Sequence, residues 1–464
     1  MKHSIHVLKI ACLVVWFSLS QLSMAKEFAQ EQVINDFDTL YQSLIDTHYN
    51  PYAYVTPQAL EGEYKRLKQA LRAPSYTKLQ AIKHYQQLVS FINNGHTEID
   101  FPVGPYLNYA EAGGSLFPLD LAFENGKALV RTNYSNHRQI NAGAEVVAIN
   151  HTPIAEILKA IYPLISAERE YFKLAKLEVL SFPRYFWYAF GEQEVYVVDI
   201  VQEGKRKRVQ VEPVPVFSGF EEKKDEILSA QQILTFYQHT AYLNPGHFSG
   251  DEDKYKQFID NSFDTISHRK VENLIIDLRN NAGGNDSFSD YLVAYLADKP
   301  FKWHARFSLR TSQRLKEDTK EHRDLSHPYW QSVMDNENGA RYIFDFEPHQ
   351  PVPESKRFKG NVYVLINRHS HSQASVTAAQ IKDYGWAVTV GEETGDYPTL
   401  YASQFQYTLP LTQISVKISK GYIVRVNGSE NPQGVMPDIP IRDHLLDKND
   451  EILDGVLAHI AERY

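Results

Sequence analysis

One segment, Asn367–Ala374 (NRHSHSQA), carries two serines and two histidines directly after the apolar run Val362–Ile366. A continuous apolar run of this kind predicts a buried strand, and the residues after Ser372 predict a helix. A serine between them would present its hydroxyl at a sheet edge, near helix N-terminal N–H groups that favour negative charge. Nucleophilic catalysis is one interpretation, and simple capping of the helix by Ser370 or Ser372 is the other.

A glycine-rich turn follows a second apolar run. Asn273–Leu278 predicts another buried strand, and Arg279–Gly284 (RNNAGG) comes directly after it. The two glycines permit backbone conformations that other residues avoid, and they let a ligand approach the main chain. Main-chain N–H groups in such a turn can stabilise an oxyanion if they converge on the developing charge. A tight turn that merely requires glycine would have the same sequence.

A histidine in a turn is the third candidate for chemistry. The chain has 18 histidines, and His96 differs in following a glycine, in Asn94-Gly-His96, at the end of a helical region. A neutral imidazole is suited to removing the proton of a serine hydroxyl near pH 7. His369 and His371 are competing candidates for this base, and Ser370 is a competing nucleophile.

The elements that must position these residues differ along the chain. Residues 26–100 show apolar residues at helical spacing, and residues 101–215 are rich in predicted strands with one helix near Ile154–Ile165. Residues 216–464 alternate strands with helices, which favours a sheet covered by helices. The predicted fold class is therefore α/β for this last part, within a multidomain α+β chain.

Residues 1–25 combine basic Lys2 and Lys9, the apolar run IACLVVWFSL and a small-residue end, which predicts a cleaved signal peptide and a periplasmic or extracellular protein. Because the run is shorter than the roughly 20 residues that cross a bilayer, no stable membrane insertion is expected after cleavage. Cys12 is the only cysteine, so disulfides and thiolate catalysis are excluded from the mature chain. A net charge of −9, with Lys205–Arg208 as the longest basic cluster, argues against a nucleic-acid partner.

Four segments, in order, resemble the C-terminal processing, or tail-specific, serine peptidase family: Leu274–Gly284, Val362–Ala374, Gly391–Gly395 and Glu430–Asp438. The resemblance implies a crotonase/ClpP-like catalytic core for the 216–464 domain. Residues Ala142–Asn150 are similar to the end of a PDZ-like domain, a class that binds peptide ends by strand addition. This second likeness implies a PDZ-like, β-rich domain over residues 101–215.

The resemblance also implies a mechanism. One branch of the family uses a Ser–Lys dyad, but the lysine position is occupied here by Tyr397. Tyrosine, with a reference pKa near 10, is a poor substitute for a desolvated lysine base. The branch that includes the tricorn core peptidase is similar in three places, and it implies Ser372 as nucleophile, His96 as base and Glu430 as the acid.

The same resemblance implies an oxyanion hole. Its donors would be the main-chain N–H groups of Gly283 or Gly284 and of Gln373. Glu392 and Glu393 are alternatives to Glu430 for the acidic role.

We therefore expect an exported serine-type peptidase that hydrolyses peptide bonds through an acyl-enzyme on Ser372, with a peptide or protein as its partner. No metal or organic cofactor is implied, because the sequence has no His-Glu-x-x-His helix, phosphate-cradling loop or dinucleotide fingerprint. One alternative is a peptide-binding or scaffolding protein that kept the fold and lost catalysis. Another is a hydrolase of non-peptide esters or amides. The sequence leaves the oligomeric state open.

Overall fold

The computed structural model describes residues 27–219, 221 and 231–462, so the predicted signal peptide lies outside the described residues. The described helices are α1 (Gln30–Thr47), α2 (Pro57–Ala70), α3 (Lys78–Phe91), α4 (Val103–Glu111), α5 (Ile154–Ile161), α6 (Glu170–Leu180), α7 (Phe182–Phe190), α8 (Glu252–Arg269), α9 (Asp286–Val293), α10 (Gln313–His322), α11 (Pro328–Asp335), α12 (Gln373–Asp383) and α13 (Glu451–Ala461).

The described strands are β1 (Glu27–Ala29), β2 (Ser75–Thr77), β3 (Ser115–Leu116), β4 (Leu119–Glu124), β5 (Lys127–Asn133), β6 (Glu145–Ile149), β7 (Thr152–Pro153), β8 (Tyr196–Gln202), β9 (Lys205–Val211), β10 (Val214–Pro215), β11 (Ile233–Tyr237), β12 (Thr240–Asn244), β13 (Asn273–Asp277), β14 (Arg306–Arg310), β15 (Arg341–Ile343), β16 (Asn361–Ile366), β17 (Val388–Gly391), β18 (Leu400–Thr408), β19 (Ser415–Val424) and β20 (Ile439–Pro440).

A mostly parallel sheet carries the two segments that were expected to do chemistry. Its strand order is β11-β12-β13-β16-β17-β20, and every neighbouring pair is parallel except β11 with β12. Helices α8, α9 and α12 supply residues to the core on one face, and α13 packs on the other. Burial on both faces explains the continuous apolar runs at β13 and β16. The predicted α/β fold class is confirmed for this part of the chain.

A second sheet, antiparallel throughout, has the order β4-β5-β6-β8-β9, with β7 paired to β6. The predicted helix near Ile154–Ile165 is α5, but α6 and α7, over residues 170–190, were not expected in this β-rich region. The basic cluster Lys205–Arg208 begins strand β9, and all four of its residues are exposed. The PDZ-like assignment of this region stays a prediction.

The N-terminal helices pack against the antiparallel sheet and against a further, four-stranded sheet. Val33, Phe37, Leu40 and Leu44 lie on one face of α1 and are fully buried, as their spacing predicted. They share one continuous apolar core with the antiparallel sheet and with strands β18 and β19. Those two strands belong to a four-stranded sheet of order β15-β14-β19-β18. The N-terminal region is therefore held directly against strands that follow Ser372 in sequence.

A buried ionic network joins the antiparallel-sheet region to the loop before Ser372. Glu178 of α6 accepts hydrogen bonds from Arg368 Nε at 2.7 Å, from Phe123 N at 2.7 Å, and lies 2.8 Å from His369 Nε2. Arg368 also contacts Glu392 at 2.7 Å. Burial alone would raise the pKa of Glu178, but its bonds with His369 and Arg368 outweigh burial and hold that pKa at about 2. Glu178 therefore stays ionised at neutral pH.

Within the described residues, no helix combines the length and the apolarity needed to cross a membrane.

The substitution Glu178→Gln should strongly destabilise the protein, because it leaves the buried Arg368 guanidinium without one of its two carboxylates. Removing one partner of a buried pair costs about 3–5 kcal/mol, whereas exposed pairs contribute little. Urea unfolding of the variant should show that loss. The matched control is Glu156→Gln, which breaks an exposed pair with Lys159 on helix α5. Equal stabilities of the two variants would contradict the structural role of the network.

Candidate functional site

The turn between β16 and α12 holds Ser372 in a conformation that is rare for serine. Its backbone has φ 52° and ψ −124°, and its side chain makes no capping hydrogen bond to the helix. Non-glycine residues at positive φ are costly and cluster at functional sites. The main-chain N–H of Ser372 donates to Asp396 Oδ2 at 2.9 Å, so a residue of the loop after β17 holds the turn in place. Helix capping by Ser372 is therefore not observed, and its hydroxyl is left for other chemistry.

The competing nucleophile is engaged in the structure of the turn. Ser370 is fully buried, and its hydroxyl donates to the Leu278 carbonyl at 2.8 Å and accepts from Asn367 N at 3.1 Å. His369 is engaged in the same way, since its two ring nitrogens lie 2.9 Å from Asn280 Oδ1 and 2.8 Å from Glu178 Oε2. Both side chains therefore serve to hold the loop beside Ser372.

The glycine-rich turn after β13 packs directly against Ser372. A Cβ atom on Gly283 (φ 82°) would lie 2.6 Å from Gln373 N and 2.7 Å from Ser372 Cβ, so only glycine fits there. The Gly283 N–H already donates to Asn281 Oδ1 at 2.8 Å. Among the described residues, the N–H groups of Gly284 and Gln373 have no acceptor. Of the three expected oxyanion donors, these two are the ones left free.

His96 reaches the site because the residues after it pair with the four-stranded sheet. Glu98 forms a β-bridge with Lys417 of β19, and Ser419 N donates to Thr97 Oγ1 at 3.0 Å. Gln404 Nε2 donates to the His96 carbonyl at 2.8 Å. These contacts place the His96 ring in the interior, 5% exposed.

A carboxylate and a second histidine surround the His96 ring. His96 Nε2 lies 3.7 Å from Asp396 Oδ2, and the His371 ring stacks on it with centroids 5.0 Å apart. His371 Nε2 lies 3.5 Å from the same Asp396 oxygen. Neither ring nitrogen of His96 has a hydrogen-bond partner among the described residues. The structure thus brings His96 and Ser372 to one buried carboxylate, Asp396.

A further buried acid, Glu168, supports the turn that carries His96. Its Oε1 accepts from Gly95 N at 2.7 Å and from Asn94 Nδ2 at 2.9 Å, while Oε2 has no hydrogen-bond partner among the described residues. Burial raises the pKa of Glu168, and the nearby Asp396 carboxylate adds to this effect.

Neither Glu168 nor Asp396 was expected from the sequence. The one available signal for Asp396 was its place beside Tyr397, where the dyad branch carries its lysine.

Burial sets the protonation of the cluster. It lowers the pKa of His96 to about 4, lowers the pKa of His371 well below its usual value, and raises the pKa of Asp396 to about 6. At pH 7 both imidazoles are therefore neutral and Asp396 is an anion. A neutral imidazole beside a carboxylate is the pairing that general-base catalysis requires.

The structure does not bring Glu430 into contact with His96. Glu430 is half exposed, Oε1 accepts from Arg306 Nη2 at 2.9 Å, and Oε2 accepts from Tyr422 OH at 2.8 Å. The two alternatives for the acidic role also have other partners, since Glu392 pairs with Arg368 and Glu393 with Arg169.

A cavity of about 460 Å³ lies beside the site. Its lining includes Ala282 of the glycine-rich turn and His371, which packs on Phe172 with ring centroids 5.1 Å apart. Most of the remaining wall is apolar and includes Ile165 and, on α6, Val179. Four charged residues also line the cavity, namely Glu98, Asp100, Lys176 and Arg368. An apolar cavity next to a reactive group is the usual form of a side-chain binding pocket.

Comparison with known proteins shows what the fold and part of the chain are similar to. The fold is that of mature CPAF complexed with lactacystin, with a TM-score of 0.60 at 16% identity over 93% of this chain and 97% of that one. Mature CPAF itself gives a TM-score of 0.59 at 16% identity over 89% and 92% of the two chains. Residues 239–441 match the model of Peptidase family S41.

A relative in the curated proteins agrees with this assignment. The tail-specific protease of Haemophilus influenzae is 35% identical over 98 residues, which are 20% of this chain and 14% of that protein. The chain thus matches a small part of the length of this relative. The resemblance to C-terminal processing peptidases is confirmed, and the choice between the two branches stays a prediction.

The substitution Gly283→Ala should displace the nucleophile turn. Its Cβ would overlap Gln373 N and Ser372 Cβ, and a misplacement of about 1 Å in an active site costs roughly 100-fold in rate. We expect a loss of that size in labelling by a serine-reactive fluorophosphonate. Gly428→Ala is the matched control, because Gly428 has a similar φ of 79° and open space around it. An unchanged labelling rate in Gly283→Ala would show that the contact is unimportant.

Proposed function

We propose that this protein is an exported serine peptidase that cleaves peptide bonds through an acyl-enzyme on Ser372. The observation that carries the proposal is the meeting of three features: a serine at positive φ, a buried neutral histidine, and Asp396, which contacts both. A binding protein that had lost catalysis would have no need to keep a strained serine beside this pair. The match of residues 239–441 to the model of Peptidase family S41 supports the same reaction class.

In the proposed mechanism, His96 removes the proton from Ser372 as the hydroxyl attacks the carbonyl carbon of the substrate. Asp396 then stabilises the imidazolium that forms. The Ser372 hydroxyl makes no hydrogen bond to another described residue, and catalytic bonds that are absent or long without substrate commonly form in the complex. The N–H groups of Gly284 and Gln373 would meet the oxyanion. The protonated His96 returns its proton to the leaving amine, and water hydrolyses the acyl-enzyme.

The acidic member of the triad can be assigned by comparing two conservative variants. Asp396→Asn should lower kcat/KM for peptide hydrolysis by roughly 10⁴-fold, the loss found when the acid of a serine triad is replaced by its amide. Glu430→Gln, which removes the charge of the acid implied by the family resemblance, should change it much less if Asp396 holds this role. A larger loss in Glu430→Gln than in Asp396→Asn would assign the acidic role to Glu430. The control variants Ser372→Ala and His96→Ala should abolish hydrolysis in either case.

The pH profile provides an independent test of Asp396. Burial raises the pKa of Asp396 to about 6, so the carboxylate that stabilises the imidazolium is present above that pH and is lost as the pH falls through it. Burial lowers the pKa of His96 to about 4, so the neutral base persists to lower pH. We expect kcat/KM to fall below an apparent pKa near 6 in the wild type. In Asp396→Asn this step should be missing, and its persistence would assign it to another group.

The apolar cavity suggests a preference for a bulky apolar side chain next to the cleaved bond. Val179 lines the cavity, and Val179→Phe would fill part of it. We expect this variant to lose kcat/KM on peptides with a large apolar residue at that position by about 10–200-fold relative to peptides with alanine there. Leu174→Phe on the same helix, at a residue outside the cavity lining, is the control. Equal losses on both peptide sets would show that the cavity does not select the substrate.

Export is the remaining part of the proposal, and it depends on the basic and apolar composition of residues 1–25. N-terminal sequencing of the protein recovered from a secreting host tests it. A mature chain that begins near residue 26 supports export, and an intact N-terminus in the cytoplasm contradicts it.

A further inference from the structure

The cluster beside Ser372 has the donor set of a transition-metal site. His96 Nδ1, His96 Nε2 and His371 Nε2 are all buried and lack a hydrogen-bond partner among the described residues. Unpaired polar atoms in the interior are costly, and each such atom in a folded protein requires an explanation. General-base catalysis uses His96 alone, so it does not account for the unpaired nitrogen of His371. One ligand atom from each of His96, His371 and Asp396 lies within 4.8 Å of the other two.

The spacing of these atoms matches tetrahedral zinc. Zinc–nitrogen bonds of 2.0–2.1 Å and zinc–carboxylate bonds of 2.0–2.2 Å place neighbouring ligand atoms about 3.3–3.5 Å apart. The two distances to Asp396 Oδ2 are 3.5 Å from His371 Nε2 and 3.7 Å from His96 Nε2. These two distances therefore lie within a few tenths of an ångström of the tetrahedral spacing, and the ligand atoms of the two histidines lie within 4.8 Å of each other. Three protein ligands would leave the fourth position to water.

The chemistry of the donors favours zinc over the common hard cations. Two imidazoles and one carboxylate suit Zn²⁺, whereas Mg²⁺ and Ca²⁺ prefer oxygen ligands throughout. The carboxylate supplies the negative charge that a divalent cation needs in a buried position.

We propose that His96, His371 and Asp396 bind Zn²⁺ reversibly and that the bound ion switches the enzyme off. A metal ion on His96 Nε2 occupies a lone pair of the proposed base, and it also neutralises the charge of the Asp396 carboxylate. The Ser372 hydroxyl can then no longer be deprotonated. Inhibition rests on the proposed function, but binding of the ion does not. His371 is what makes the site possible, since a single histidine and Asp396 would offer only two ligands.

One other group of side chains in the described part of the chain could hold a metal. Asp286, Asp290 and His349 also place one ligand atom each within 4.8 Å of the others. The His349 side chain is 44% exposed, whereas the side chains of His96 and Asp396 are almost wholly buried. Variants of this second group are therefore the internal control for the assignment.

Titration calorimetry with ZnCl₂ on the Ser372→Ala protein tests binding without any requirement for activity. We expect one ion per chain at the proposed site. His371→Phe, which keeps an aromatic ring on His96, should weaken that binding by roughly 100-fold, because loss of even an outer-shell partner costs 10–100-fold. Asp396→Asn should weaken it as well, and His349→Gln should not. Circular dichroism verifies that each variant is folded.

Zinc binding that survives His371→Phe but disappears in His349→Gln would overturn the proposal, and so would the absence of binding in the folded Ser372→Ala protein. In the wild type, peptide hydrolysis should stop on addition of zinc and return fully on addition of a chelator. Hydrolysis that continues at zinc concentrations that saturate the site would contradict the inhibitory role. A protein that binds zinc at this site but never hydrolyses peptides would disprove the proposed function and leave the metal site intact.

Discussion

The close approach of two strand-end turns is the constraint on which the rest of the site depends. Strands β13 and β16 run parallel and in register, so their carboxyl ends meet at the same edge of the sheet. His371 N donates to the Asn281 carbonyl at 3.0 Å, and the Ser370 hydroxyl donates to the Leu278 carbonyl at 2.8 Å. Gly283 then has no room for a side chain against Ser372. These contacts hold Ser372 against the glycine-rich turn whose amides were expected to receive an oxyanion.

The base and its carboxylate reach this edge from distant parts of the chain. His96 arrives from the N-terminal region because Glu98 pairs with Lys417 of β19. Asp396 arrives from the loop after β17 and is fixed by the Ser372 and Tyr397 N–H groups, at 2.9 Å each. Since both side chains are almost wholly removed from water, desolvation controls their protonation more than any single charge does. The same burial makes the cluster suited both to proton transfer and to metal binding.

Several features were predictable because each depends on a short local pattern. The apolar runs at β13 and β16, the glycines of the turn at 279–284 and the serine before α12 all reflect constraints within a few residues. Helix α7 was missed because its sequence, FPRYFWYAF, is aromatic and apolar with little polar contrast, and such a run does not distinguish a helix from a strand. Asp396 was missed because its role arises from tertiary burial between His96 and Ser372, which no local pattern records. Glu430 was expected from the family pattern alone, and the structure pairs it instead with Arg306 and Tyr422.

The most direct test of the central claim is to identify the residue that a fluorophosphonate modifies. The mature, folded protein would be labelled, digested and mapped by tandem mass spectrometry. We predict one adduct per chain, on the hydroxyl of Ser372, with labelling that requires an intact His96. An adduct on Ser370 or on any other serine, or the absence of an adduct in folded protein, would contradict the assignment of Ser372 as an activated nucleophile.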